Sequence, residues 1–375
     1  MTSILNEITE LRKGKPLAID YKNSNRYRVV VLESDGSKTA YYFTAPIYNV
    51  RTRKAVDMKF FCQGSDICAT GSNADITIGE IIRLKNSEGA CCLSLAERTV
   101  LISDHEVACG KERFYPTTNG IAIRSACRDE IQYTFSIDVS KPFMEVRAND
   151  RCFALMSEKF RPFVAISCIG TEDASGNVIA PARISYQKLT DRKYTITVAS
   201  CSKLGRSILL EVNLYEPKLF QDTTVESTNP KTNNAFGGIG FLGTTKDYGE
   251  QWLYTRPDFS KMPELSDKKI LRAILHLPRL NSSDIQLNIA KASARFCSFG
   301  STWENKIAEL TSLPDPQIAG RHIDLDLTKL ITDKYGKLTV SDGLILKAKK
   351  KDFGFSVIAT ADNYLFPQIF EINYR

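Results

Sequence analysis

The residues able to do chemistry are few and far apart. The three histidines, His105, His276 and His322, fall in separate segments. "SDHEVA" sets Asp104, His105 and Glu106 side by side, but neighbours on a strand point to opposite faces and cannot converge on one substrate. "DLD" differs, because Asp324 and Asp326 share one face of a strand. That pair could form the edge of a structural calcium site, although a solvated face accounts for it equally well. "GGIGFLG" sets Gly238, Gly240 and Gly243 in the spacing of a dinucleotide-binding loop. Such a loop needs a strand before it and a helix after it. "NPKTNNAF" and "TTKDYGEQ" provide neither, so the segment reads as a glycine-rich entry into a strand. The zinc-protease, nucleophile-elbow and phosphate-loop motifs are absent from the sequence. Trp303 followed by Glu304 leaves three readings open: a catalytic carboxylate, a sugar-stacking platform, or a structural corner.

The bulk properties narrow the classes. The 375 residues are too many for one ordinary core, so two domains are expected. The formal charge of +7 is spread along the chain, with no basic run beyond "KAKKK", which argues against nucleic-acid binding. "MTSILNEITELRKGK" lacks the apolar core of a signal peptide. Its Ile4, Ile8 and Leu11 fit one face of a short amphipathic helix instead. The longest apolar run, "FVAISCIG", is far below the roughly 20 residues of a membrane-spanning helix. The expectation is synthesis in the cytoplasm without a leader, with any exit as part of a released assembly such as a virion. Nine of the ten cysteines precede residue 202 and none forms C-x-x-C. Most lie in apolar runs such as "VAISCIG", where a thiol behaves as a small hydrophobe, so free thiols and no zinc ribbon are expected.

The elements that would have to position a site are almost all strands. "YRVVVLES", "KTAYYFTA", "IQYTFSIDV", "KYTITVAS" and "SILLEVNLY" are short and rich in β-branched and aromatic residues. They alternate with period two and are bounded by turn segments such as "SDGS" and "DASGN". The predicted class is all-β, with two β-sandwich-like domains and few short helices. The boundary falls in the polar, turn-rich stretch 216–236. This divides the chain into a β-rich N-terminal region, 1–215, with a subdomain break near 115–130, and a C-terminal domain, 216–375. "LTKLITDKYGK" predicts a helix capped by Thr328 and ended by Gly336.

Within the second region, "QDTTVESTNPKTNN", "WLYTRPDF", "KKILRAILHLP", "IQLNIAKA", "STWENKIAELTSLPDPQ", "HIDLDLTKLI" and "FPQIFEINY" occur in an order that resembles the DNRLRE-type domain. That is a jelly-roll module akin to non-catalytic carbohydrate-binding modules of bacterial surface proteins, and the resemblance covers roughly 220–375. It implies a jelly roll, with Trp303, Glu304 and Trp252 as structural anchors. Trp303 would pack a loop on the sandwich, Glu304 would satisfy local backbone donors, and Pro314 and Pro316 would stiffen the crossing. Phe370, Ile372 and Tyr374 sit one residue off the family spacing, which implies a bulge in the closing strand.

Strand alternation then nominates a ligand face. Leu271, Ala273, Leu275 and Leu277 would face the core, leaving Arg272, Ile274 and His276 outward. In the same way Gln286 and Asn288, and Ile345, Lys347 and Lys349, would point out. If these strands share a sheet, Arg272, His276, Gln286, Asn288, Lys347 and Lys349 suit an acidic polysaccharide. The functional expectation is a non-catalytic structural or adhesion protein, such as a phage component. Its jelly roll would bind a glycan or a neighbouring subunit, with self-association into a homo-oligomer. The alternative is a polysaccharide hydrolase or lyase on a sandwich scaffold. No cofactor is implied, with a structural calcium ion as the one exception.

Overall fold

A computed structural model describes residues 4–45, 47, 58–95, 97–127, 130–138, 143–157, 162–216, 218–283, 285–339, 342–350 and 353–375. The chain is all-β, with four antiparallel sheets and two short α-helices, Ile4–Leu11 and Thr328–Ile331, among the described residues. No helix there is long and apolar enough to cross a membrane.

The chain divides into two compact units. One comprises Val56–Glu216 with Phe236–Gly238; the other comprises Thr2–Ala55, Pro217–Ala235 and Ile239–Arg375. The predicted boundary at 215/216 therefore falls where the chain leaves the first unit. The assignment of all of 1–215 to one N-terminal region needs correction, because residues 2–55 belong to the second unit. The physical reason is strand pairing. Strand Lys38–Phe43 lies in register against Ile369–Tyr374, with Lys38 opposite Tyr374 and Phe43 opposite Ile369.

The first unit is a sandwich of two large sheets. Alternation works well here: in Ile131–Asp138, Ile131, Tyr133, Phe135 and Ile137 are buried while Gln132 and Asp138 are exposed. These side chains meet Phe114, Ile121, Ile123, Phe153 and Leu210 of the facing sheet in one core. The expected subdomain break near 115–130 is instead a crossing between sheets. Gly120–Ala126 pairs in one sheet and Ile131–Asp138 in the other; residues 128 and 129 lie outside the described residues.

The second unit has thirteen strands among the described residues, and eight of them carry its topology, taken in chain order: β1 (Lys38–Phe43), β2 (Gly249–Pro257), β3 (Ile270–Pro278), β4 (Leu287–Ala292), β5 (Glu309–Ser312), β6 (His322–Asp326), β7 (Leu344–Ala348) and β8 (Ile369–Tyr374). One sheet contains the order β1-β8-β3-β6, flanked by Arg28–Leu32 and Gln317–Ala319; the other contains β2-β7-β4-β5, extended beyond β2 by Phe220–Glu226, Ile239–Thr245 and Gly354–Ala359. First–eighth–third–sixth facing second–seventh–fourth–fifth is the ordering of a jelly roll. Its first strand thus comes from the N-terminal segment, and most of the first unit is inserted between β1 and β2.

The sequence "KTAYYF" explains why β1 binds so firmly. Ala40 and Tyr42 enter the sandwich core with Leu275 and Phe370. Tyr41 and Phe43 face the other way, under Ile8 of the N-terminal helix. Both faces are covered, so five successive residues are buried and no polar alternation survives.

Three smaller expectations change. The bulge lies not in β8 but in its partner β3, at Leu271, which is consequently exposed rather than core-facing. The helix after "DLD" spans only Thr328–Ile331, and its N-cap is Leu327 rather than Thr328; the Asp326 carboxylate just before it accepts the Thr328 N–H. "GGIGFLG" continues as strand Ile239–Thr245, and a Cβ on Gly243 would collide with the Gly354 carbonyl of the neighbouring strand. None of the ten cysteines is joined in a disulfide; burial pushes Cys91 and Cys168 well above the ordinary thiol range.

Candidate functional site

The six outward residues nominated from alternation fall in three places, so the single basic face they were to form does not exist. β3 belongs to one sheet of the jelly roll, whereas β4 and β7 belong to the other.

Arg272 and His276 lie on the outer face of the first sheet. Arg272 is exposed and pairs with Glu371 at 3.7 Å. His276 is not a surface group: it is buried, with Nδ1 2.7 Å from Asp324 Oδ1 and Nε2 3.4 Å from Glu371 Oε2. The N-terminal helix covers this face, and its Glu7 meets Nε2 of the neighbouring His322 at 3.2 Å. Burial pulls the His276 imidazole down, but the hydrogen bond to Asp324 and the nearby Glu371 carboxylate outweigh it and hold the ring above its ordinary 6.5. The Asp324 and Asp326 carboxylates both have protein partners, His276 and Thr328 respectively. Among the described residues no cluster of three His, Cys, Asp or Glu side chains is arranged to hold a metal ion.

Asn288 and Lys347 sit directly opposite each other on the outer face of the second sheet. Both reach Glu309, Asn288 by a 3.3 Å hydrogen bond and Lys347 by an ion pair. Beside them stand both tryptophans. Trp252 on β2 and Trp303 on the 293–308 segment meet edge to face at 5.2 Å, and Trp252 Nε1 donates to Glu250. Lys306 lies 4.1 Å above the Trp303 ring, and Lys347 lies 4.9 Å from that of Trp252. The chain's own ammonium groups therefore stack on both indoles. Beneath them Ile345, Phe296, Tyr254 and Val225 form a small buried cluster, so Ile345 is buried rather than outward. Trp303 closes this cluster and acts as a corner. Glu304 does not play the part assigned to it: its side chain is exposed, and Asn305 Oδ1 accepts the Thr302 N–H at 2.7 Å instead.

Gln286 and Lys349 occupy the third place. They flank the ends of β4 and β7, joined through the Lys349 N–H and the Gln286 carbonyl at 2.8 Å. Together with Arg279, Asp315, Ile285 and Ile318 they line an open cleft of about 210 Å³ where the two sheets part. Arg279 follows the end of β3 and is steadied by the Ser283 carbonyl at 3.1 Å. Asp315 lies between Pro314 and Pro316 and pairs with Lys349 at 2.6 Å. One wall is apolar, with Ile318 more than half exposed.

Among the described residues, two cations, one carboxylate, an amide and an apolar wall make this the best candidate site on the jelly roll. Its chemistry is recognition: the cations would meet an anionic group through charge-assisted hydrogen bonds, the amide would meet hydroxyls, and the wall would carry a ring face. Alternation found Gln286 and Lys349 but missed Arg279 and Asp315, which lie outside regular strands. The one available signal was the carboxylate held between two prolines in "LPDPQ". No protein-family model matches the chain, and a search of curated proteins finds no match either.

Proposed function

We propose that this chain is a non-catalytic attachment or structural subunit whose jelly roll binds an acidic glycan in the sandwich-edge cleft. The observation that carries this reading is the cleft itself, with Arg279, Lys349 and Gln286 around an apolar wall at the end of a two-sheet scaffold. The likeness of "STWENKIAELTSLPDPQ" and its flanking strands to DNRLRE-type domains points the same way, as does the setting such domains have in bacterial surface proteins. Hydrolysis of a glycosidic bond ordinarily uses two carboxyl groups. Among the described residues the cleft is lined by one, Asp315, and Lys349 already engages it.

The test is retention of the whole chain in gels containing polygalacturonate or hyaluronate, against a neutral dextran. Retention should favour the acidic polymers and fall steeply with salt. Arg279→Glu with Lys349→Glu should weaken it about tenfold or more, with the melting temperature little changed. Equal retention of neutral polymers, or an unaffected double variant, would remove the cleft as the site. A fall in the viscosity of the acidic polymer would favour the rival reading, a polysaccharide hydrolase or lyase.

A further inference from the structure

Strand Thr99–Ser103 of the first unit ends its sheet: it pairs with Glu106–Cys109 on one side, and no described strand pairs with the other. Edge strands are often blunted by charges, proline, a bulge or short length; "TVLIS" is short and irregular but carries neither charge nor proline. Val100 and Ile102 are 55% and 57% exposed. The strand is also nearly its own mirror. Turned antiparallel about Leu101, Thr99 meets Ser103, Val100 meets Ile102, and Leu101 meets itself. The flanks extend the match, because Arg98 falls opposite Asp104.

Arg98 is exposed and makes no ion pair among the described residues. Asp104 is half exposed and pairs with Lys59, itself on the surface, at 2.8 Å. Its backbone carbonyl accepts the Phe60 N–H at 2.6 Å, which holds the end of the strand in place. A register shift lies between Leu101 and Ser103, so the regular pairing would be confined to a short stretch around Leu101.

The geometry points to a two-fold dimer of this chain formed by antiparallel pairing of Thr99–Ser103 with its symmetry mate. The two sheets become one across the interface, backbone hydrogen bonds supply affinity, and the reciprocal Arg98–Asp104 contacts fix the register. Nothing in this interface depends on the jelly-roll cleft, so either assignment can fail alone.

Charge reversal in the full chain, followed by sedimentation velocity at micromolar concentration, provides the test. The wild type should sediment as a two-copy species. Arg98→Asp alone sets carboxylate against carboxylate twice, and Asp104→Arg alone sets guanidinium against guanidinium. Each should weaken association about a hundredfold. Mixed together, the two monomeric variants should form a one-to-one heterodimer, since both contacts are then complementary. Val100→Lys, at a position already facing solvent, should also dissociate the dimer, with circular dichroism confirming that each variant is folded. A monomeric wild type, a dimer that survives Arg98→Asp, or variants that fail to recombine would each overturn the proposal.

Discussion

Removing β1 should unfold the jelly roll even though every residue from Pro217 to Arg375 remains. β1 contributes Tyr41, Tyr42 and Phe43, all at 2% exposure or less. Truncating a fully buried aromatic side chain costs about 3–5 kcal/mol, so losing three amounts to roughly 9–15 kcal/mol. Domains of this size are stable by only about 5–15 kcal/mol. The loss also strips the edge of β8 and removes the Tyr42–Glu264 hydrogen bond and the Arg28–Glu264 ion pair. The comparison is between residues 217–375 alone and the same residues preceded by 1–55 through a flexible Gly/Ser linker replacing the inserted unit. Urea unfolding followed by near-ultraviolet circular dichroism should give a cooperative transition for the fused chain and none for the fragment. A fragment that melts cooperatively, with the midpoint of the fused chain, would refute the assignment of β1 to the jelly roll.

Two further outcomes follow from side-chain contacts. His276 is held above its ordinary 6.5 by Asp324 and Glu371, so its contribution to stability is complete below about pH 6.5 and is lost as pH rises through the folded value. Melting temperatures recorded between pH 5 and 9 should therefore fall on the alkaline side, and His276→Gln should flatten that slope. Trp303→Ala removes an edge-to-face ring contact and a stacked lysine from a half-buried corner, for about 1–3 kcal/mol by urea unfolding. A loss below 0.5 kcal/mol, on the order of a surface substitution, would mean the corner does not need the indole.

Much of the architecture was legible because period-two alternation records which face of a strand is wet. It worked for Ile131–Asp138, where one face meets the core and the other meets solvent. It failed where a second layer covers the outer face. Ile345 and His276 have the parity of exposed residues, yet the 293–308 segment buries one and the N-terminal helix borders the other. A strand's own pattern holds no record of a distant segment folding over it. The pairing of β1 with β8 was invisible for the same reason, since only register over a long separation joins them. The cleft was half visible: Gln286 and Lys349 sit at strand ends where parity still applies, whereas Arg279 and Asp315 are placed by turns.

The insertion between β1 and β2 also sets a timetable. Thr44 and Gln368 hydrogen-bond across 324 residues of chain. At roughly 5–20 residues per second, a ribosome needs on the order of 15–65 s to add that stretch. Throughout this interval the hairpin Arg28–Leu32 with β1 lacks the strand it will pair with, while its apolar aromatic face already exists. The inserted unit, by contrast, emerges complete from Val56 to Glu216 and needs only the three residues Phe236–Gly238 from later chain. Synthesis thus favours the insert folding first and the jelly roll closing last, when β8 leaves the ribosome. The period of greatest exposure to misassociation is the wait of β1, and a chaperone that shields aromatic strands would act there.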